Sequence, residues 1–335
     1  MRVQQIPGTD LSPSVLALGT VPIGSTLDQA ASFALLDAYT AAGGTFIDTA
    51  RVYSDWLPGE RNSSEKMIGR WLAERRNRGS VLLATKGAHP PLDDMHHSRL
   101  SRAEIRSDLE GSLHDLHTDH IDLYWLHRDD PAHPVEDIID TLDDLVNAGQ
   151  IRCYGASNWT AERIGAANRY AAQAGKRPFV ANQMMWSLAT TNPAGMLDDT
   201  LVEMDASTDT LHRQTGLAAV PYTSQALGFF GGRYERGAPL PSSPAARNVQ
   251  RMFFNETNFE RLDRVRELTA RLGWTPTQVG LAALCARPFP VFPIIGPRTL
   301  EQLQGSLSAG DLHLDADTAL WLETGVPRHL AGSGA

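Results

Sequence analysis

The run TFID (45–48), together with VLLATK (81–86) and IDLYWLH (121–127), decides the fold. Each run is a short apolar segment typical of a buried strand, and each ends on a polar side chain: Asp48, Lys86 or His127. Tyr53 follows the first run after a few loop residues. Because the carboxyl ends of parallel strands lie at one rim of an α/β barrel, we expect these four side chains to converge there.

Eight apolar runs alternate with stretches of helical periodicity along the whole chain. The predicted strands are residues 15–18, 45–48, 81–85, 121–126, 151–155, 179–183, 217–222 and 291–295. The predicted helices are residues 28–42, 64–76, 102–117, 135–148, 161–174, 199–215, 258–272 and 277–286. Strands that are apolar throughout indicate a parallel sheet covered by helices.

Eight such units favour an α/β protein with a single (β/α)8 TIM barrel domain spanning residues 1–335. The alternative is an open doubly wound sheet that binds a dinucleotide. Its GxGxxG fingerprint would follow the first strand, where the sequence instead reads LALGTVPIG (16–24). The barrel is therefore the predicted fold.

One segment after the seventh predicted strand, residues 231–255, is rich in Gly, Pro, Arg and Ser. A loop of this length inside a compact domain is usually functional or disordered. Because it follows a strand end, it lies on the side of the predicted site. We interpret it as a lid over the active site or a cofactor.

Composition excludes several classes of protein. The 335 residues are 42% hydrophobic and 21% charged, as in a soluble globular protein with a large core. A net charge of −9 argues against a nucleic-acid surface, and no apolar run approaches the length of a membrane span. The two cysteines form no disulfide framework, so a cytoplasmic location is expected.

The four rim residues suit the reduction of a carbonyl by hydride, which needs a proton donor for the oxygen. A phenol with a pKa of about 10 is a weak acid, but an adjacent ammonium stabilises the phenolate and lowers that pKa. A carboxylate holds the ammonium, and a neutral imidazole can hydrogen-bond the substrate oxygen. We assign these roles to Tyr53, Lys86, Asp48 and His127 respectively.

Each residue also has a simpler interpretation. Asp48 could begin a loop, and Lys86 could extend its amine from a strand end into solvent. His127 could cap a strand, and Tyr53 could be a packing aromatic. Four complementary side chains on three neighbouring strand ends favour a common site.

Longer motifs carry a resemblance to a known family. They are GGTFIDTARVYSDW, SSEKMIGRWL, VLLATKGAHP, HIDLYWLHRDDP, LVNAGQIRCYGASNWT and FPIIGPRTLEQL. In this order, and almost end to end, the sequence resembles the aldo-keto reductase superfamily. Its Asp-Tyr-Lys-His tetrad matches the four residues above. The resemblance implies a (β/α)8 barrel, NADP(H) or NAD(H) as cofactor, a small-molecule carbonyl substrate and no metal.

The resemblance also implies a set of cofactor contacts: Gly19, Thr20, Asp48, Ser157, Asn158, Gln183, Tyr222, Gly228, Gly296, Arg298 and Gln302. Amide and hydroxyl groups suit a nicotinamide carboxamide, and Tyr222 matches the aromatic that stacks on the ring. Arg298 suits a 2′-phosphate and favours NADP(H). Downstream the sequence departs from the family, since Gly305 and Ser306 stand where many members have Glu-Asn.

Loops after the strands are expected to shape the substrate site. The candidates are Val21, Trp56, Arg128 and Asp129. A tryptophan beside charged groups can stack on a sugar while the polar groups bind hydroxyls, which favours a hydroxylated carbonyl. Solvated loop charges are the simpler interpretation of Arg128 and Asp129.

Other functions remain open at this stage. Lys86 could form a Schiff base in an aldolase-like barrel, the same site could oxidise an alcohol, or the chain could be a nicotinamide-binding regulatory subunit. His114, His117 and His120 recur at intervals of three but lack a converging fourth ligand, so no metal site is predicted. The oligomeric state is not predicted.

Overall fold

The computed structural model describes residues 1–239 and 242–326, and in these residues parallel strands alternate with helices. The strands are β1 Ala17–Gly19, β2 Phe46–Asp48, β3 Leu82–Gly87, β4 Ile121–Leu126, β5 Ile151–Ser157, β6 Ala181–Gln183, β7 Ala218–Ala219 and β8 Ile294–Ile295. The helices are α1 Gln29–Ala41, α2 Ser63–Arg75, α3 Arg102–Asp115, α4 Val135–Asn147, α5 Ala161–Ala174, α6 Ala206–Thr215, α7 Pro244–Phe253, α8 Glu256–Leu272, α9 Pro276–Cys285, α10 Leu300–Leu307 and α11 Ala316–Thr324.

The sheet curls into a barrel. Its strand order is β7-β6-β5-β4-β3-β2-β1-β8, and every neighbouring pair is parallel. The ends meet at a parallel bridge between Ala219 and Val291, flanked by two backbone hydrogen bonds of 2.8 Å. The predicted (β/α)8 barrel is thus confirmed, and the open-sheet alternative is wrong.

Apolar side chains fill the barrel interior and seal the end opposite the predicted site. Phe46 and Phe292 meet edge to face inside the barrel, with ring centroids 5.9 Å apart. Trp125 packs in the same cluster beside Gly155, where an added Cβ would lie 2.4 Å from its ring. An N-terminal hairpin covers the end of the barrel opposite the predicted site, where its Ile6 and Leu11 are buried. The predicted site residues lie at the opposite, carboxyl rim of the barrel.

Several predicted elements are shorter in the structure. Helix α6 begins at Ala206, not at residue 199, because Asp205 caps it with a side-chain bond to the Thr208 amide. Residues 199–205 are not helical, and within them Glu203 bridges to Met185 in parallel. Strands β7 and β8 keep only two residues each.

The segment 231–255 is not irregular throughout, and that expectation was wrong for its second half. Residues 244–253 form α7, with Ser243 as N-cap and a proline at its first position. One face of α7 packs into a buried aromatic cluster with Phe229, Tyr234 and α8. Residues 240 and 241 of the predicted lid, like 327–335 of the predicted domain, lie outside the described residues.

Candidate active site

The carboxyl rim brings together the strand-end residues predicted from sequence. Asp48 ends β2, Lys86 lies one residue before the end of β3, and His127 directly follows β4. The register pairs Asp48 with Ala84, and Lys86 with Trp125, so Lys86 and His127 each lie two residues beyond the partner of the preceding residue. An offset of two residues keeps the three side chains on one face of the sheet. Asp48 and Lys86 are 0% and 1% exposed, so neither is a solvated strand end.

The Lys86 ammonium joins the tetrad. It donates to Asp48 Oδ2 at 2.5 Å, to the Thr49 carbonyl at 2.8 Å and to the Tyr53 hydroxyl at 2.7 Å. Its three N–H bonds are therefore all used, which satisfies a buried charge. The second oxygen of Asp48 accepts from Gln183 Nε2 at 3.0 Å. The Tyr53 hydroxyl, which can donate a proton, therefore contacts the Lys86 ammonium, and that ammonium contacts the Asp48 carboxylate.

The acidity of the phenol differs from the sequence expectation. Burial raises the pKa of Tyr53 above its ordinary value, and the Lys86 ammonium opposes that effect without overcoming it. For Lys86, burial favours the neutral amine, but Asp48 and Tyr53 together outweigh that effect and the pKa of Lys86 is raised. Lys86 is thus charged and Tyr53 protonated at neutral pH. Lys86 lowers the free energy needed to form the Tyr53 phenolate, but Tyr53 keeps its proton before the reaction.

His127 is a neutral imidazole. Burial, with His89 and Arg128 nearby, lowers its pKa well below the ordinary value. Its Nδ1 is buried and has no partner among the described residues, and its ring lies 6.0 Å from that of Tyr53. With the hydrogen on Nε2, the ring can donate to a carbonyl oxygen placed beside the Tyr53 hydroxyl.

A second polar layer lies behind Lys86. Glu65 from α2 is fully buried, accepts from Thr85 Oγ1 at 2.5 Å and lies 3.3 Å from Arg51 Nη1. Arg51 also pairs with Asp115 at 3.0 Å, and its backbone amide donates to the Lys86 carbonyl. This layer fixes the loop that carries Tyr53 to the end of β3.

Ser157, Asn158 and Gln183 lie together at the ends of β5 and β6, all buried. The Ser157 hydroxyl accepts from Asn158, which leaves its own hydrogen for a ligand, and Gln183 Oε1 accepts no bond from the described residues. A hydroxyl donor and an amide acceptor fit a carboxamide. Asn158 is instead fully used, since its Oδ1 accepts from Tyr222 and from the Val202 amide.

The other predicted contacts near the nicotinamide position line the same rim. Tyr222 is partly buried, and its hydroxyl donates to Asn158 Oδ1 at 2.7 Å, which leaves the ring face for stacking. Thr20 is buried and bonded to the Asp48 carbonyl at 3.1 Å. Gly19 is required by packing, because an added Cβ would lie 2.7 Å from Ile294 of β8.

The phosphate side of the predicted cofactor site is open. An added Cβ at Gly296 would meet nothing within 4 Å, and Gly228 has the positive φ of +83° that favours glycine. Gln302 fixes the loop after β8 by accepting from the Arg298 amide at 2.8 Å. The Arg298 guanidinium is exposed and makes no hydrogen bond or ion pair among the described residues. It is free to meet a phosphate.

The predicted substrate residues fall into two groups. Val21 and Trp56 are 42% and 50% exposed, and the Trp56 ring meets Tyr53 edge to face at 6.5 Å. Arg128 is buried and donates to the His127 carbonyl, Thr200 and Asp198. Asp129 pairs with Arg163 of α5 at 3.1 Å. The solvated interpretation of these two charges was wrong, because both side chains fix loops around the site.

Sequence reasoning missed two residues near the site. His89 lies two residues beyond β3, and its ring is 4.6 Å from that of His127. Arg233 lies in the segment predicted as a lid, and its Nη2 would be 3.1 Å from a Cβ at Gly228. The motif VLLATKGAHP contains His89, but only its contact with His127 identifies it.

Two kinds of feature are absent from the described residues. Within 1–239 and 242–326, no three His, Cys, Asp or Glu side chains cluster as a metal ligand set. Over the same residues, no helix has both the length and the apolar character needed to cross a membrane. The groups that the rim does bring together are the Lys86 ammonium, the Asp48 carboxylate and the Tyr53 phenol.

Comparison with known proteins agrees with the site. A model described as "Aldo/keto reductase family" matches residues 15–320. An uncharacterized oxidoreductase of Bacillus subtilis (strain 168), YrpG, is 33% identical over 322 residues, which are 95% of this chain and 93% of the relative. An aryl-alcohol dehydrogenase [NADP(+)] of Phanerodontia chrysosporium is 31% identical, with 97% and 85% covered. A norsolorinic acid reductase of Emericella nidulans is 29% identical, with 96% and 80% covered.

The match spans nearly the whole barrel, from the residues before β1 to α11. The matched range includes Asp48, Tyr53, Lys86 and His127. It also includes the ends of β5 and β6, which carry Asn158 and Gln183. On this evidence the chain belongs to the aldo/keto reductase family and is a nicotinamide-dependent oxidoreductase.

Proposed function

We propose that this chain reduces an aldehyde or ketone to the alcohol, with Tyr53 as general acid and NADPH as the preferred cofactor. The observation that carries the proposal is the position of Lys86, whose ammonium lies 2.7 Å from the Tyr53 hydroxyl and 2.5 Å from Asp48. A buried, charged lysine beside a partly buried phenol stabilises the phenolate that forms when the proton leaves.

The residues divide the work as follows. His127 donates a hydrogen bond from Nε2 to the carbonyl oxygen and sets it beside Tyr53. A nicotinamide cofactor, when bound, supplies the hydride to the carbonyl carbon. As negative charge develops on the oxygen, the Tyr53 hydroxyl transfers its proton, and the O–H bond of the alcohol forms. Lys86 stabilises the phenolate, which regains a proton from water, while Asp48 keeps the ammonium in place.

The cofactor preference rests on charge and on the donor set. Ser157 and Gln183 offer a donor and an acceptor to a carboxamide, and the exposed, unpaired Arg298 offers bidentate hydrogen bonds to a phosphate. Arg233, beside Gly228, adds a second cation along the glycine-containing stretch. A relative whose name specifies NADP(+) supports the same preference.

The substrate class follows from the open side of the rim. Trp56 presents an exposed ring beside Tyr53, which suits a flat or hydroxylated carbonyl compound. Relatives named aryl-alcohol dehydrogenase and norsolorinic acid reductase support an aromatic carbonyl, and the former also supports alcohol oxidation by the same site. A Schiff-base role for Lys86 is disfavoured, because the ion pair with Asp48 keeps the amine protonated and not nucleophilic.

A cofactor oxidation assay tests the proposal. Initial rates of NADPH and NADH consumption are measured with benzaldehydes, short aliphatic aldehydes and aldoses, and the reverse reaction with the corresponding alcohols. The proposal predicts turnover of at least one aldehyde with NADPH favoured over NADH. Cofactor binding without turnover of any carbonyl would instead support the regulatory-subunit alternative.

A further inference from the structure

Contacts with neighbouring residues fix the position of His89 at the active-site rim. The loop after β3 turns at Ala88, a non-glycine residue with a φ of +58°, which is a strained conformation for a side chain of this type. The Ala88 amide donates to Asp108 at 2.8 Å, and Asp108 is paired with Arg99 at 2.9 Å. Arg99 also donates to the His89 carbonyl at 3.2 Å. The surrounding contacts hold this turn and so aim the imidazole.

One hydrogen bond fixes the tautomer of His89. Its Nδ1 lies 2.6 Å from the Pro90 carbonyl oxygen, and a carbonyl only accepts, so Nδ1 must carry the hydrogen. Burial, assisted by Arg128, lowers the pKa of His89 to about 4, so the ring is neutral at pH 7. The remaining nitrogen, Nε2, therefore presents a lone pair. Nε2 accepts no hydrogen bond from the described residues. It is also not one of the fully buried atoms that lack a partner, so a ligand can reach it.

The two histidines have complementary hydrogen-bonding roles. The His89 and His127 rings meet edge to face with centroids 4.6 Å apart. His127 is placed to donate to the carbonyl oxygen, whereas Nε2 of His89 carries no hydrogen and can only accept. A substrate whose carbonyl oxygen lies on His127 therefore brings its flanking atoms toward an acceptor that has no partner among the described residues.

We propose that His89 is a specificity-determining residue that accepts a hydrogen bond from a hydroxyl group of the carbonyl substrate. This inference rests on the proposed carbonyl reduction, and it narrows the substrate to a hydroxyl-bearing carbonyl compound. An ether or alkyl group at the same position offers no hydrogen, so Nε2 would lose water without gaining a bond. The aromatic face of Trp56 on the same side of Tyr53 favours a hydroxylated aromatic aldehyde.

The test compares matched pairs of substrates. The 2-, 3- and 4-hydroxybenzaldehydes are compared with the corresponding methoxybenzaldehydes, by kcat/KM with NADPH and by calorimetric Kd in the presence of NADP⁺. The wild-type protein should prefer the hydroxyl compound by about fivefold to tenfold for at least one isomer, as expected for one net hydrogen bond. No preference at any isomer overturns the inference.

Three variants assign the preference to the imidazole. His89→Phe should reduce the hydroxyl-to-methoxy ratio to about one, whereas His89→Gln should keep part of it because its amide oxygen still accepts. His97→Phe is the matched control, since His97 is an exposed histidine of the same loop, and it should leave the ratio unchanged. If His89→Phe slows both series in parallel and keeps the ratio, His89 only positions His127 and the inference is wrong.

The binding measurement separates this inference from the proposed function. If the wild-type protein turns over no aldehyde but binds hydroxybenzaldehydes with a preference that His89→Phe removes, the recognition role holds and the reductase proposal fails. If aldehydes are reduced and neither Kd nor kcat/KM responds to His89→Phe, the reductase proposal holds and the recognition role fails.

Discussion

The ammonium nitrogen of Lys86 lies 2.7 Å from the hydroxyl oxygen of Tyr53, and Lys86 is buried while Tyr53 is partly buried. Burial raises the pKa of the phenol, while the ammonium pulls it down. The pair is thus arranged so that the proton stays on Tyr53 until negative charge develops on a substrate oxygen. Asp48, 2.5 Å from the same ammonium, makes that arrangement stable in the folded protein.

Replacing Lys86 by Met should damage both stability and catalysis. The Asp48 carboxylate would be left buried with only Gln183 as a partner, which costs about 3–5 kcal/mol in the free energy of unfolding. Catalysis should fall by about 10²-fold or more, because the phenolate loses its stabilising charge. Urea unfolding and single-turnover rates measure the two effects.

The double variant Lys86→Met with Asp48→Asn separates those effects. Removing both charges should recover much of the lost stability, since no uncompensated charge stays buried, while activity stays low. Lys176→Met is a control, because the Lys176–Asp140 pair is partly exposed at the surface and its loss should change stability little. Recovery of activity in the double variant would contradict the role assigned to the ammonium.

Arg298→Ala should weaken NADPH binding by about tenfold or more and leave NADH binding nearly unchanged. The reason is that a 2′-phosphate is the feature that an exposed guanidinium can bind with charge-assisted hydrogen bonds. Fluorescence titration gives both Kd values, and the NADPH effect should diminish at high salt. Arg271→Ala, an exposed arginine at the end of α8, is the control. Equal losses of affinity for NADPH and NADH would show that Arg298 does not bind the 2′-phosphate.

Gly155→Ala should destabilise the barrel by about 1–3 kcal/mol, since the new methyl group would overlap Trp125 in a packed interior. Gly280→Ala is the matched substitution in α9, where an added Cβ meets nothing within 4 Å. It should stabilise the protein by about 0.5–1 kcal/mol through helix propensity. Chemical unfolding of both variants measures the difference, and equal effects would contradict the packing described for the interior.

Glu65 should make stability depend on pH. Burial raises its pKa from 4.5 to about 7, so the folded protein keeps a proton that the unfolded chain releases between those values. Its contribution is fully present below pH 4.5 and is lost as the pH rises toward 7. Glu65→Gln should flatten the unfolding free energy across this window. An unchanged pH profile would mean that Arg51, 3.3 Å away, already holds Glu65 ionised.

Much of the fold and the tetrad could be predicted from sequence, because each signal is local. Asp48, Lys86 and His127 each end an apolar run, and parallel strands bring such ends to one rim. Helix α7 was missed because its surroundings are rich in Gly, Pro and Ser. Its signals were nevertheless present: Ser243 as N-cap, Pro244 at the first position and apolar residues at helical spacing.

Other features depend on tertiary contacts that the sequence does not display. Arg128 reads as a solvated loop charge, yet it is buried because Asp198 and Thr200 come from a distant loop. The net effect on the Tyr53 pKa depends on how deeply the phenol is buried. The role proposed for His89 depends on two contacts: the Pro90 carbonyl sets its tautomer, and the ring of His127 lies beside it.

The most direct test of the central claim is the single-turnover rate of aldehyde reduction by Tyr53→Phe with NADPH bound. The substitution removes only the hydroxyl, so the ring and its contact with Trp56 are kept. The rate of the chemical step should fall by about 10²–10⁴-fold, with NADPH still bound as judged by fluorescence titration. Reduction at the wild-type rate by this variant would show that Tyr53 is not the proton donor.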